Sequence, residues 1–157
     1  MTEPLLNVVL VRPEIPQNTG SIARLTAATR LRLHLVGPLG FSLEDRYLRR
    51  AGLDYWPLVD LRTYDDVERF FAAHPHGPFK LFSARATQCY LEARFEPGDF
   101  LLFGSETKGL GHAILDAEIG PSFRIPIFES GVRSLNLSNA VSIVAYEALR
   151  QMGRLSC

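Results

Sequence analysis

Residues 123–151 read FRIPIFESGVRSLNLSNAVSIVAYEALRQ, and the pattern changes twice along them. Phe123 to Phe128 is a short apolar run behind Pro121-Ser122, which predicts a strand. Ser130 to Asn136 is a polar turn carrying one Arg and several side chains able to cap a helix. From Leu137 the period becomes helical, with Leu137, Val141, Val144 and Ala148 on one face until Met152-Gly153 ends the run. A second set, Ala140, Ile143, Ala145 and Tyr146, makes this helix apolar around much of its girth, which predicts burial on more than one side. A strand, a polar loop and a helix N-terminus in that order bring N–H groups and hydroxyls together where a polar ligand can sit. An ordinary β-loop-α unit has the same spacing, so the pattern by itself assigns no function.

Upstream lies the most strand-like run, Asp99 to Gly104 (DFLLFG), followed by GSETKGLG at residues 104–111. Three glycines there let the backbone approach a ligand closely or take positive φ. The loop is neither a Walker loop, since Leu110 stands where Lys is needed, nor GxGxxG. A short helix is expected around Ala113 to Asp116.

At the N-terminus, Leu5 to Val11 (LLNVVLV) does not alternate and predicts a strand buried on both faces. PEIPQNTGSIARLTAATR follows, read as an extended loop and then a helix from about Gly20 to Arg30, with Asn18, Thr19 and Ser21 as caps. Arg24 projects from its first turns, either as a solvated arginine or as an anion-facing one. Leu31 to Val36 (LRLHLV) alternates with period two and predicts a second strand. Ser42 is expected to cap a helix through about Ala51 on which Arg46, Arg49 and Arg50 form a basic stripe, either a solvated face or a phosphate-tracking patch. Asp54 to Leu61 is broken by Pro57 and reads as an edge strand or connector. Thr63-x-x-Asp66 resembles a capping box opening a helix with Val67, Phe70 and Phe71 on its apolar side. Phe79 to Ala84 predicts a further strand. The His74-Pro75-His76 pair has no third ligand nearby, so no metal site is expected.

Strands alternating with helices predict one α/β domain over residues 1–157, with a mostly parallel sheet and helices on both faces. The chain is 46% apolar and 22% charged, as expected of a soluble globular protein. Lys plus Arg and Asp plus Glu both number 17, so bulk charge does not announce a nucleic acid and basic residues must be arranged locally if RNA binds. Cys89 and Cys157 offer neither a metal spacing nor a disulfide framework, which suits a reducing cytoplasm. The N-terminal stretch MTEPLLNVVLVRPEIPQ has no basic start, and its apolar run is too short for a signal or a membrane span.

Three of these segments, in order, resemble a known family. PxNxGxxxR from Pro16 to Arg24, LLFGSETKGL from Leu101, and IPI…RSLNLSNAVSIVAYEALR from Ile125 are similar to the first, second and third motifs of the SPOUT class of RNA methyltransferases. The branch is that of tRNA ribose 2′-O-methylases, and the likeness is strongest to its short single-domain enzymes for the wobble ribose. It spans about Asn7 to Gln151. FESGV, from Phe128 to Val132, looks longer and less proline-rich than in that branch and leaves the placement of Arg133 open.

The resemblance implies a deep C-terminal trefoil knot that forms the pocket for S-adenosyl-L-methionine, with no metal, and a homodimer whose RNA site draws on both chains. It implies methyl transfer to the 2′-hydroxyl of nucleotide 34, a C or modified U, in a tRNA anticodon stem-loop. Ala84, Gly104, Ile125, Ser134 and Leu135 would hold the cofactor. Asn18, Arg24, Glu106, Ser134 and Asn136 would carry catalysis. Arg24, Arg46, Arg49, Arg50, Lys108, Arg133 and Tyr146 would meet RNA, with Tyr146 also a candidate for the subunit interface. Two other readings stay open: an ATP- or NAD-dependent enzyme using the loop at 104–111, and a non-catalytic RNA-binding module of the same fold.

Overall fold

The computed structural model describes residues 3–46, 48, 50 and 55–157. Its elements run β1 (Asn7–Val11), α1 (Pro16–Thr29), β2 (Arg32–Val36), β3 (Asp60–Tyr64), α2 (Val67–Ala73), β4 (Phe79–Phe82), β5 (Gln88–Cys89), β6 (Phe100–Phe103), α3 (His112–Leu115), β7 (Ser122–Arg124) and α4 (Leu137–Gln151). The strands form one seven-stranded sheet in the order β3-β2-β1-β6-β4-β7-β5, and every neighbouring pair is parallel.

Successive side chains on a strand point to opposite faces, and here both faces are buried. On one side, Val8, Leu10, Leu33, Leu35, Leu101 and Phe103 pack with Ile22 and Ala23 of α1 and with Leu137, Val141, Val144 and Ala148 of α4. On the other, Val9, Val11, Leu81 and Leu102 pack with Phe70 of α2 and Ile114 of α3. At about 25 cal/mol per Å² of apolar area, these two layers supply the main drive to fold. At the N-terminal ends of β4 and β6, the nearly buried Lys80 ammonium sits 2.6 Å from the carboxylate of buried Asp99, the residue before β6, which also accepts from the Glu96 N–H.

Several sequence expectations are corrected. α1 starts at Pro16, not Gly20, because proline at the first helical position has no N–H to lose; Asn18 and Thr19 lie buried inside it rather than capping it. The alternation in β2 does not mark a wet face. His34 is buried, donating from Nε2 to Asn7 Oδ1 at 2.8 Å and accepting from the Tyr64 hydroxyl at 2.9 Å, while the same hydroxyl accepts from His74 Nε2 at 2.9 Å. Burial, then the neighbouring His74, lowers the His34 pKa to about 3.

Thr63 lies in β3, an unpredicted strand position, and Asp66 is the true cap of α2, its carboxylate accepting from the Arg69 N–H. Within the stretch expected to be an edge strand or connector, Trp56–Leu58 forms a 3-10 turn and the edge strand β3 begins at Asp60. Ser42 makes a local turn through the Glu44 N–H, and Asp45 Oδ1 accepts from Leu48 N instead. Arg46 and Arg50 are exposed helical residues, whereas Arg49 lies outside the described residues. β7 stops at Arg124, four residues short of the predicted end at Phe128, since Pro126 has no N–H for a ladder. Ala145 is fully buried in the core and not part of a second face, which leaves Ile143 and Tyr146 exposed on α4.

Candidate active site

The C-terminal ends of β4, β6 and β7 lie side by side, and each opens into a loop. In an open parallel sheet this edge is where ligands bind. The loops enclose a cavity of about 630 Å³. Ala84, Gly104 and Ile125, one from each loop, line it together with Ser134 and Leu135 at the far end of the third loop. The five expected cofactor residues are therefore brought together. Its volume suits a nucleoside-sized ligand, and its walls combine apolar side chains such as Leu110 and Leu137 with backbone at the strand ends. S-adenosylmethionine, with a flat adenine and a polar methionine tail, is compatible with such a lining.

Gly104 is required by close packing within the protein. A Cβ there would stand 1.8 Å from the Gly109 carbonyl carbon and 2.1 Å from Leu110 N. The loop beyond it doubles back, Ser105 N donating to Gly109 O at 3.1 Å and Gly109 N to Ser105 O at 2.9 Å, with Gly109 at φ +64. The sequence reading placed the cofactor against Gly104, but the nearest steric partner is the loop's own backbone.

Glu106 at the tip of this loop reaches the start of α1. Its carboxylate accepts from Glu14 N at 2.8 Å, Ile15 N at 2.9 Å and Asn18 Nδ2 at 3.2 Å. The helix N-terminus, rich in unpaired N–H groups, favours a carboxylate at that point. Glu14 answers in the other direction, its Oε1 accepting from Thr107 Oγ1 at 2.6 Å and Thr107 N at 3.1 Å. The Thr107 hydroxyl, then its N–H, holds the Glu14 pKa below the ordinary carboxylate value. Asn18 in turn accepts at Oδ1 from Asn136 Nδ2 at 3.1 Å, and Asn136 Oδ1 caps α4 through Ser138 N at 2.9 Å. One chain of hydrogen bonds thus ties all three motifs at the rim of the cavity.

Lys108 and Arg133 line the same cavity, as does Arg85, which the sequence reading missed. Arg85 Nη1 donates to His112 Nε2 at 3.0 Å. Arg24, Tyr146 and the exposed Arg46 and Arg50 are not among the lining residues. Arg24 is exposed on α1, with its guanidinium 4.8 Å from the centre of the Tyr55 ring. Nothing in sequence spacing signals Tyr55. Glu14 carried a usable signal, an acid one residue before the cap position of a helix. Among the described residues no group of three or more His, Cys, Asp or Glu could hold a metal ion, and no helix is long and apolar enough to cross a membrane.

This arrangement of motifs can be compared with known proteins. The profile of the SpoU rRNA methylase family matches residues 5–146. The chain belongs to the SpoU rRNA methylase family. Within it, a tRNA (cytidine(34)-2′-O)-methyltransferase of Burkholderia pseudomallei is 47% identical over 152 residues, covering 95% of this chain and 97% of its own. A solved structure described as giving insight into 2-OH methylation of C/U34 on tRNA is 48% identical, with a TM-score of 0.90 over 96% of this chain and 97% of its own. A Sinorhizobium meliloti rRNA methyltransferase solved with AdoMet bound is 25% identical, with a TM-score of 0.84 over 99% of this chain and 59% of its own.

Proposed function

We propose that this protein transfers a methyl group from S-adenosyl-L-methionine to the ribose 2′-hydroxyl of nucleotide 34, a cytidine or modified uridine, in the anticodon stem-loop of tRNA. The observation that carries this reading is the Glu106–Asn18–Asn136 chain, which joins three motifs beside one cavity. The named activity of a relative 47% identical over nearly the whole chain supports it, as does AdoMet bound in a solved rRNA methyltransferase 25% identical for the cofactor.

Bound S-adenosylmethionine supplies an electrophilic methyl group on a sulfonium. The protein's part is positioning and charge. Glu106, Asn18 and Asn136 spend their oxygens on N–H groups of the protein, so they act as positioning residues for the loops. Ser134 is exposed at the cavity with no side-chain hydrogen bond among the described residues, and is the hydroxyl free to meet the substrate. A guanidinium is a poor base, with a pKa above about 12. Arg24 instead grips a phosphate with two N–H groups against the 2′-hydroxyl, and that phosphate relays or accepts the proton.

Arg24 lies outside the cavity of its own chain, which favours a site assembled from two chains. Ile143 and Tyr146, exposed on α4 at 36% and 44%, supply an apolar surface for a second copy. Arg46, Arg50, Lys108 and Arg133 meet RNA phosphates in this reading, as does Arg49, which lies outside the described residues, and Tyr146 serves the interface or the nucleotide. The C-terminal trefoil knot belongs to the same reading; the place of β7 between β4 and β5 supports it. A cytoplasmic location follows from a tRNA substrate.

A nucleoside triphosphate is the less favoured occupant, because the N–H groups of Ser105, Thr107, Lys108 and Gly109 are already spent on Gly109, Glu14 and Ser105 and do not cradle phosphates. Incubating the protein with bulk tRNA and methyl-labelled S-adenosylmethionine, then mapping the ribose, tests the function. Label at the 2′-oxygen of nucleotide 34 supports it, and no incorporation with intact cofactor binding overturns it. A monomer by sedimentation at micromolar concentration overturns the two-chain site.

A further inference from the structure

Phe128 stands 99% exposed, the most exposed large apolar side chain among the described residues. It follows Ile127 and precedes Arg133 by five positions, and both of these line the cavity. The lip between them is a tight local turn. Glu129 Oε1 accepts from Gly131 N at 3.0 Å and Glu129 O accepts from Val132 N at 3.1 Å, a tight turn closed by its own carboxylate. Val132, 48% exposed, sits on the same turn. An aromatic ring thus stands in water next to a residue that lines the cavity, at the start of a tight turn.

We propose that Phe128 is the stacking platform for the base of the nucleotide whose ribose is methylated, a role that rests on the function proposed above. Three observations select this occupant over a protein surface. The same cavity is lined by Arg85, Lys108 and Arg133, so a phosphate-linked ligand is drawn to the lip. Of the nearby acids, Glu106 has its oxygens engaged by three N–H donors and Glu129 is bonded to its own turn. A ribose whose hydroxyl enters the cavity leaves its base outside, at the level of the lip. A base splayed from a single-stranded loop needs an aromatic face to replace its lost stacking. A phenyl ring has no donor or acceptor with which to read a base edge, so stacking on it is tolerant of sequence. Such a platform accepts cytidine and modified uridine alike, leaving choice among tRNAs to contacts elsewhere.

The test pairs protein variants with an altered RNA. Affinity and methylation are measured for an anticodon stem-loop and for the same RNA lacking the base at the target nucleotide. Phe128→Ala should weaken binding of the intact RNA about 5- to 100-fold, the scale of one stacked base. Phe128→Tyr should restore it, and S-adenosylmethionine affinity should not change. The RNA lacking the base should bind the parent as weakly as Phe128→Ala binds the intact RNA, and Phe128→Ala should lose nothing more on it. Equal penalties for Phe128→Ala on both RNAs, or none on either, overturn the proposal. So does a change of sedimentation in Phe128→Ala without RNA, which would make the ring a contact between copies. If the parent binds the intact RNA in this base-dependent way but transfers no methyl group, the enzymatic reading falls and the platform stands. If it binds neither RNA, both fall.

Discussion

Asn136 Nδ2 donates to Asn18 Oδ1 across 118 positions of sequence, at 3.1 Å, while Asn18 Nδ2 donates to Glu106 Oε2 at 3.2 Å. Asn18 is thus the central link between three loops, and a carboxamide suits it because it must accept on one side and donate on the other.

Asn18→Asp breaks this link more severely than Asn18→Ala. It removes the donor facing Glu106 and sets a second carboxylate beside it, in a residue only 9% exposed. Methyl transfer should fall by about 10²-fold in Asn18→Ala and further in Asn18→Asp. Unfolding in urea should show a loss of about 1–3 kcal/mol for the unpaired group. Parental turnover in Asn18→Asp would refute the linking role.

The Glu14–Thr107 contact closes the loop that lines the cavity, so it is expected to act on the cofactor. Glu14→Ala and Thr107→Val should each raise the dissociation constant for S-adenosylmethionine. The double variant should be no worse than Glu14→Ala, which already removes the acceptor that Thr107 uses. Calorimetric titration of the four proteins measures this, and additive losses would mean the two side chains act separately.

Gly104→Ala tests packing rather than pocket volume. Even one methyl group meets the Gly109–Leu110 peptide at 1.8 Å and 2.1 Å. Amide exchange at Ser105 and Gly109, whose N–H groups bond each other's carbonyls, should accelerate together with loss of cofactor binding. Loss of binding with unchanged exchange would show that the glycine serves the ligand alone.

Arg24 and Tyr55 should behave as a pair. Arg24→Ala should keep cofactor affinity within a few-fold and lose methyl transfer by about 10²-fold, with little rescue by Arg24→Lys, which lacks the planar fork. Tyr55→Phe keeps the ring face under the guanidinium and should keep activity, whereas Tyr55→Ala should lower kcat. Single-turnover methylation of tRNA distinguishes these, and equal rates for all Tyr55 variants would leave Arg24 positioned by something else.

Acid should destabilise the fold through His34. Its folded pKa, about 3, lies below the ordinary 6.5, so the neutral ring is the form the core requires. Its contribution is complete above pH 6.5 and declines as pH falls toward 3, by about 1.4 kcal/mol per unit. Urea midpoints between pH 7 and 5 should show this slope, and His34→Gln, which does not titrate, should flatten it.

The sequence by itself determined the α/β class, the parallel sheet and the three motif loops. Apolar period is local: Val8 to Val11 and Leu101 to Phe103 declare strands buried on both sides, and Leu137, Val141, Val144 and Ala148 declare a helix, whatever lies around them. Where local rules compete, only the tertiary structure decided. Thr63 matches a capping pattern yet pairs in β3, because Leu35↔Thr63 register against β2 outweighs a weak cap. Asn18 has the chemistry of a cap but is spent inside α1, because Glu106 and Asn136 arrive there from other parts of the chain. Resemblance nominated Gly104, Ser134 and Asn136 one by one. That they meet at one rim, with Glu14 and Thr107 fastening it and Tyr55 beneath Arg24, depends on contacts between residues far apart in sequence, which no local spacing encodes.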